Sequence, residues 1–204
     1  MEKFEIFTGL VAGVDRANID TDALIPKEHL KSIKRTGFGA ALFSDWRYND
    51  DGSDKPDFVL NKPETKAAEI LVTRSNCGCG SSREHAVWAV VQYGFKAVIA
   101  PRHKDTPGFA DIFRNNCGKN GLLTIELAED QVDEIFQTLE KEPGVKATVD
   151  LAAQNVTLHA ASGDQVYAFE IAADLKTKLL EGLDDIALTL QYEANITAYE
   201  DARS

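Results

Sequence analysis

Residues 69–100 read EILVTRSNCGCGSSREHAVWAVVQYGFKAVIA. An apolar run over 69–73 leads into a turn over 74–80, where Gly78 and Gly80 alternate with cysteines. Residues 81–93 then set Ala86, Val87, Ala89, Val90 and Val91 in the apolar part of a predicted helix, and 96–100 return to a strand pattern. A strand, a loop, a helix and a second strand in this order predict a parallel crossover. A predicted helix over 108–117 and strand over 121–126 repeat the unit.

The pattern extends in both directions from this stretch. Upstream, 4–14 reads as a strand, and 15–29 is a polar loop entering a short helix at Pro26, a residue suited to a first helical position. Residues 31–56 mix glycines, aromatics and charges and end in a solvated loop over 49–56. Downstream come an amphipathic helix over 129–141 and three strands over 145–150, 154–160 and 165–171, a meander. A helix over 173–182 stops at Gly182, and a polar, partly helical extension begins at about 184. No repeat or linker interrupts the pattern. The expectation is one α/β domain over 1–204 with a mixed sheet.

Composition narrows the function classes. A 204-residue chain that is 44% hydrophobic can bury one good core. Its formal net charge of −11 repels phosphate backbones and anionic lipid, so neither nucleic acid nor a membrane is an expected partner. No apolar run approaches the ~18 residues needed to span a bilayer, and the residues after Met1 lack a signal peptide's apolar core. With Cys77, Cys79 and Cys117 as an odd set, the expectation is a cytoplasmic chain with free thiols.

The chemistry concentrates in the turn. Gly78 and Gly80 allow close backbone approach to a ligand. The helix that follows turns its free N–H groups and positive dipole end toward the turn, which favours an anion. Arg83 adds a planar fork suited to a carboxylate, and the hydroxyls of Ser81 and Ser82 share that positive field. The plainer reading is structural: Ser81-x-x-Glu84 is a capping box, and most capping serines have no catalytic role. His85, on the first helical turn, orients a neighbour or simply packs.

Three ligand motifs fail. Arg83 stands where a dinucleotide fingerprint needs its third glycine. The Gly-Lys-Ser/Thr of a P-loop is absent. Asn18-x-Asp20-x-Asp22 opens like a calcium loop but has Ala23 and His29 at its sixth and twelfth positions. Cys77 and Cys79, with only Cys117 left, cannot close a four-cysteine site, so no metal is expected on this chain.

These residues resemble a family. Gly80-Ser81-Ser82-Arg83-Glu84-His85-Ala86 is similar to the signature of the swivel domain of the aconitase superfamily. Asn18-Ile19-Asp20-Thr21-Asp22 resembles a motif upstream in that domain, and the block from Phe109 to Cys117 with Asn120-Gly121-Leu122-Leu123 resembles a third, in the same order. Arg35-Thr36-Gly37-Phe38-Gly39 with Leu42-Phe43-x-Asp45-Trp46-Arg47 is similar to small subunits of bacterial 3-isopropylmalate dehydratases. Cys77 departs from the family's usual aromatic, and Gly118 and Thr124 from its commoner residues.

The resemblance implies a swivelling β/β/α domain with a mixed, partly barrel-like sheet flanked by helices. It implies a hydro-lyase of leucine biosynthesis, interconverting 2- and 3-isopropylmalate through isopropylmaleate. The chain would act only with a large subunit that holds a [4Fe–4S] cluster, and would itself bind no cofactor. Ser81 would be the base and Arg83 the carboxylate clamp. Ser82, Gly80 and the segment Arg35, Thr36, Gly37 and Phe38 would bind the hydroxy-diacid substrate. Thr21, Asp22 and His85 would support them. Phe38 would offer an apolar surface to the alkyl group, its flanking glycines letting the segment adapt. A related hydro-lyase acting on 2-methylmalate/citraconate or homoaconitate, and a non-catalytic anion-binding module, are the competing expectations.

Overall fold

In the computed structural model, which describes residues 1–31, 35–190 and 192–203, the crossover unit lies to one side of the central strand of a seven-stranded sheet. Ser32–Lys34, Gln191 and Ser204, which fall within the 31–56 connection and the C-terminal extension, lie outside the described residues. Strand β1 (Phe7–Val14) is followed by the short helices α1 (Thr21–Leu24) and α2 (Ser44–Arg47). Then come β2 (Ile70–Thr73), α3 (Glu84–Tyr93), β3 (Ala97–Pro101), α4 (Asp111–Lys119), β4 (Leu123–Leu127) and α5 (Glu129–Lys141). The meander is β5 (Lys146–Asp150), β6 (Asn155–Ala160) and β7 (Gly163–Ala168). Helices α6 (Ala173–Glu181), α7 (Asp185–Leu190) and α8 (Glu193–Asp201) complete the order.

The sheet runs β4-β3-β2-β1-β5-β6-β7 and curls into a half-barrel with helices packed on it. β1 is the pivot of this topology. Its second half pairs parallel with β2, from Val11↔Ile70 to Val14↔Thr73, while its first half pairs antiparallel with β5, from Phe7↔Val149 to Leu10↔Lys146. One strand thus joins a parallel crossover sheet to an antiparallel meander.

Strand composition follows from what covers each half. Every residue of β2 and β3 is buried, as apolar runs in parallel sheets require. Successive residues point to opposite faces. Ala12, Val14, Leu71 and Val98 join the core beneath α1, α3 and α4, whereas Val11, Ile70, Val72 and Ile99 join the core beneath α5 and the meander. β6 keeps the alternation of a half-exposed strand.

Several boundaries differ from the sequence expectation. The first strand starts at Phe7, the helix expected over 108–117 runs Asp111–Lys119, and the strand expected over 165–171 is Gly163–Ala168. The short helix expected at Pro26 is a 3-10 turn over Lys27–Lys31, preceded by the unanticipated α1. Gly182 does end α6, at φ +68°, with its N–H returning to the Leu179 carbonyl. Gly118, a departure from the family pattern, makes room for α6: a Cβ there would lie 2.8 Å from Leu175 Cδ1.

Candidate active site

Past the ends of β1 and β2 the two chains stay in register. Arg74 N–H donates to Arg16 O (3.1 Å), Asn18 N–H to Ser75 O (2.9 Å), Gly78 N–H to Ile19 O (2.7 Å) and Thr21 N–H to Cys79 O (2.9 Å). On the other flank, Asn76 and Cys77 donate to the carbonyls of Pro107 and Gly108, and Ala110 N–H returns to Cys77 O. The glycine-rich turn is therefore laced between the two other motif segments, beyond the carboxyl ends of parallel strands, where open α/β sheets bind ligands.

Gly78 is required twice over. Its φ is +79°, and a Cβ would sit 2.1 Å from Phe113 Cγ on α4. Gly80, at φ +92°, crosses above Asp20 and Thr21 and delivers Ser81 and Ser82 to the surface, where both are exposed.

The capping-box reading is corrected by the structure. α3 begins at Glu84 with Arg83 as its N-cap, and no side chain caps it. Ser81 stands before the helix, and its N–H donates across the chain to the hydroxyl of buried Thr21 (3.1 Å). The Asx cap belongs instead to α1, where Asp20 Oδ1 accepts from Ala23 N–H at 2.7 Å. Asp22, freed by that cap, forms an ion pair with Arg83 through Nη1. The other edge of the guanidinium has no protein partner among the described residues. The structure thus brings Ser81, Ser82, Arg83, Thr21 and Asp22 together at an uncapped helix start.

The 35–38 segment lies along α3. Gln92 clips it twice, donating to Arg35 O (2.8 Å) and accepting from Phe38 N–H (2.9 Å). The Arg35 guanidinium sits 5.5 Å from the Trp88 ring centroid. Arg35, Thr36 and Gly37 are exposed, but Phe38 is 3% exposed, packed edge-on to His85 (5.4 Å) and against Trp88 (5.8 Å). Phe38 is therefore a core anchor in this chain, with no open face for an alkyl group. Nor is Gly39 a source of mobility: its Cβ would lie 2.4 Å from the Gln92 carbonyl oxygen. His85, through its contacts with Phe38 and Trp88, links this segment to the first turn of α3.

The cysteines are free. Burial pushes the Cys77 thiol up to about 12 and that of Cys117 well above its ordinary value. Cys79 is raised by burial and then by the Asp20 charge. Among the described residues no three His, Cys, Asp or Glu side chains gather into a metal site. Sequence reasoning missed two supports. Glu126 on β4 accepts from Gly108 N–H (2.8 Å) and pairs with Arg114, a long-range tie with no local signal. Asn18 and Asn76 both adopt positive φ, a conformation that the asparagines themselves hinted at.

Comparison with known proteins identifies the family. The aconitase C-terminal domain profile matches residues 1–130, and the LeuD N-terminal profile matches 133–173. The profile of the C-terminal domain of 3-isopropylmalate dehydratase small subunits matches 185–204. 3-Isopropylmalate dehydratase small subunits are 51% identical over 207 residues in Desulforapulum autotrophicum, covering 100% of this chain and 96% of that protein. In Brevibacillus brevis the identity is 51% over 203 residues, covering 100% of both. The Neisseria gonorrhoeae protein is 50% identical, with 100% and 95% covered. A solved 3-isopropylmalate dehydratase structure from Methanocaldococcus jannaschii superposes with a TM-score of 0.64 at 25% identity, covering 96% of this chain and 99% of that one. Identity near one half along the whole length, on a shared fold, means that the chain belongs to the 3-isopropylmalate dehydratase small-subunit family of the aconitase superfamily.

Proposed function

We propose that this chain forms one wall of a 3-isopropylmalate dehydratase active site in leucine biosynthesis, closed by a separate large subunit. The observation that carries the reading is the exposed Ser81-Ser82 pair beside half-buried Arg83 at an uncapped helix start, held by Thr21 and Asp22. Dehydration of 2-isopropylmalate removes a proton from the carbon beside a carboxylate and a hydroxide from its neighbour. Water then adds in the opposite sense. Charge gathers on the carboxylate next to the deprotonated carbon. Arg83 faces that carboxylate with the edge that has no protein partner among the described residues, while Asp22 holds the other edge in place. Ser82 and the first N–H groups of α3 orient the diacid. Ser81, as its alkoxide, takes the proton and becomes the neutral hydroxyl.

A serine base demands a dry, positive pocket. In the isolated chain Ser81 is exposed to solvent, so the pocket must be completed by the partner. The [4Fe–4S] cluster is assigned to the large subunit, where it would supply Lewis-acid polarisation of the leaving hydroxyl. The exposed residues Arg35, Thr36 and Gly37 are the part of their segment available to substrate once the large subunit docks. The free thiols accord with a cytosolic setting, and no helix among the described residues is long and apolar enough to cross a membrane.

Anaerobic reconstitution with the large subunit, assayed on 2-isopropylmalate, tests the reading. Turnover by the complex and none by the chain alone is expected. Equal or better turnover of 2-methylmalate would reassign the substrate, and binding without turnover would favour the non-catalytic module.

A further inference from the structure

We infer that the side-chain hydrogen bond between Asn18 and Asn76 is a positioning clasp that sets the spacing of the two site-bearing loops. Asn76 Nδ2 donates to Asn18 Oδ1 at 2.8 Å. Both residues have left-handed backbones, at φ 55° and 60°. Asparagine tolerates this region better than other non-glycine residues. The two left-handed turns face each other just beyond the ends of paired parallel strands. They turn both chains in step, and the backbone ladder resumes at Gly78→Ile19 and Thr21→Cys79.

Each asparagine is also anchored by its own main chain: Asn18 N–H to Ser75 O, and Asn76 N–H to Pro107 O, both 2.9 Å. The clasp is therefore the side-chain tie at the root of both arms. One arm carries Thr21 and Asp22, the other Ser81 and Arg83. The tips meet through Ser81 N–H to Thr21 Oγ1 and through the Arg83–Asp22 ion pair. Because the backbone ladder survives without the clasp, its loss leaves the fold standing and removes only the side-chain tie that fixes how the two left-handed turns face each other. Small displacements of reacting groups are costly in rate.

The chemistry of the clasp is asymmetric, which gives the test its edge. Asn18 supplies the acceptor, so Asn18→Asp keeps the bond. Asn76 supplies the donor, so Asn76→Asp sets oxygen against oxygen. Asn18→Gly and Asn76→Gly remove the amide while leaving the left-handed backbone accessible.

The inference rests on the proposed dehydratase role, so the variants are measured in the reconstituted complex beside wild type. Each glycine variant should lower kcat about tenfold or more, with KM within about threefold and the melting temperature of the chain close to wild type. The double glycine variant should be no worse than either single one, as for residues acting through one bond. Asn18→Asp should restore most of what Asn18→Gly loses, and Asn76→Asp should not. An active wild-type complex with unchanged kcat in both glycine variants, additive losses in the double variant, or equal behaviour of the two aspartates overturns the clasp alone. An inactive wild-type complex overturns the dehydratase reading and the clasp's catalytic role with it. Should Asn76→Gly fail to fold, Asn18→Gly against Asn18→Asp decides.

Discussion

Replacing Phe38 by alanine separates an anchor from a substrate contact. The ring is 3% exposed and packs on both His85 and Trp88, with centroids 5.4 and 5.8 Å away. Truncating a fully buried phenylalanine costs about 3–5 kcal/mol. The exposed stretch Arg35–Gly37 lets this site relax, so the lower end, about 3 kcal/mol, is expected. In a chain of this size that lowers Tm by roughly 6–12 °C. Thermal unfolding of the isolated chain, followed by circular dichroism, measures it directly. Activity supplies the second arm: the ratio of kcat/KM for isopropylmalate to that for methylmalate, in the reconstituted complex at a temperature where the variant is folded. Loss of an anchor lowers both values together, whereas loss of a pocket wall lowers the larger substrate's value selectively, by an amount on the order of 1–3 kcal/mol per methylene. An unchanged Tm with a shifted ratio would refute the burial argument and return Phe38 to the substrate surface.

Ser81→Ala should leave the stability of the chain within about 0.5 kcal/mol of wild type, since surface changes away from caps do little and Ser81 caps no helix. In the complex its kcat should fall more than tenfold, about 1.4 kcal/mol of barrier; a smaller loss would remove Ser81 as the base. Arg83→Lys should lower kcat/KM because a lysine cannot hold Asp22 and present a second edge at once; steady-state kinetics with the large subunit in saturating excess measure the loss. Iodoacetamide at pH 8 should label Cys79 of the folded chain before Cys77, whose thiol burial pushes up to about 12. The linked stability runs in the same sense: the folded chain holds the Cys77 proton more tightly than the unfolded one. This contribution is complete below about pH 9 and is lost as pH rises toward about 12. Mass spectrometry of peptides reads the labelling order, and early modification of Cys77 would show that it is not buried.

The parts of the fold that repeat with a clear period were legible in the sequence. The apolar runs of β2 and β3, the alternation of β6 and the stop at Gly182 each carry a local cause. α1 was not legible, because four residues carry no period and its only signal is the Asp20 cap. The start of α3 was misread because Ser81-x-x-Glu84 has the spacing of a capping box, while the Ser81 backbone is held from Thr21, far away in sequence. Glycines beside Phe38 suggested mobility, but Gly39 is there to let its backbone approach Gln92. The division of β1 between two partners depends on long-range pairing and left no mark on the strand itself. Within the candidate site, the anion-favouring turn followed from glycines, serines and an arginine. The closeness of Asp22 to Arg83 and of Thr21 to Ser81 had no spacing to announce it, and its only signal was the resemblance to a family.

The central claim is that this chain contributes a base and a carboxylate clamp to an active site it cannot complete alone. The most direct measurement is single-turnover conversion of 2-isopropylmalate by three samples under anaerobic conditions: the chain alone, its complex with the large subunit, and the complex carrying Ser81→Ala. Isopropylmaleate and 3-isopropylmalate are expected from the wild-type complex only, with the variant complex still assembled. Turnover by the chain alone, or undiminished turnover by the Ser81→Ala complex, would contradict it.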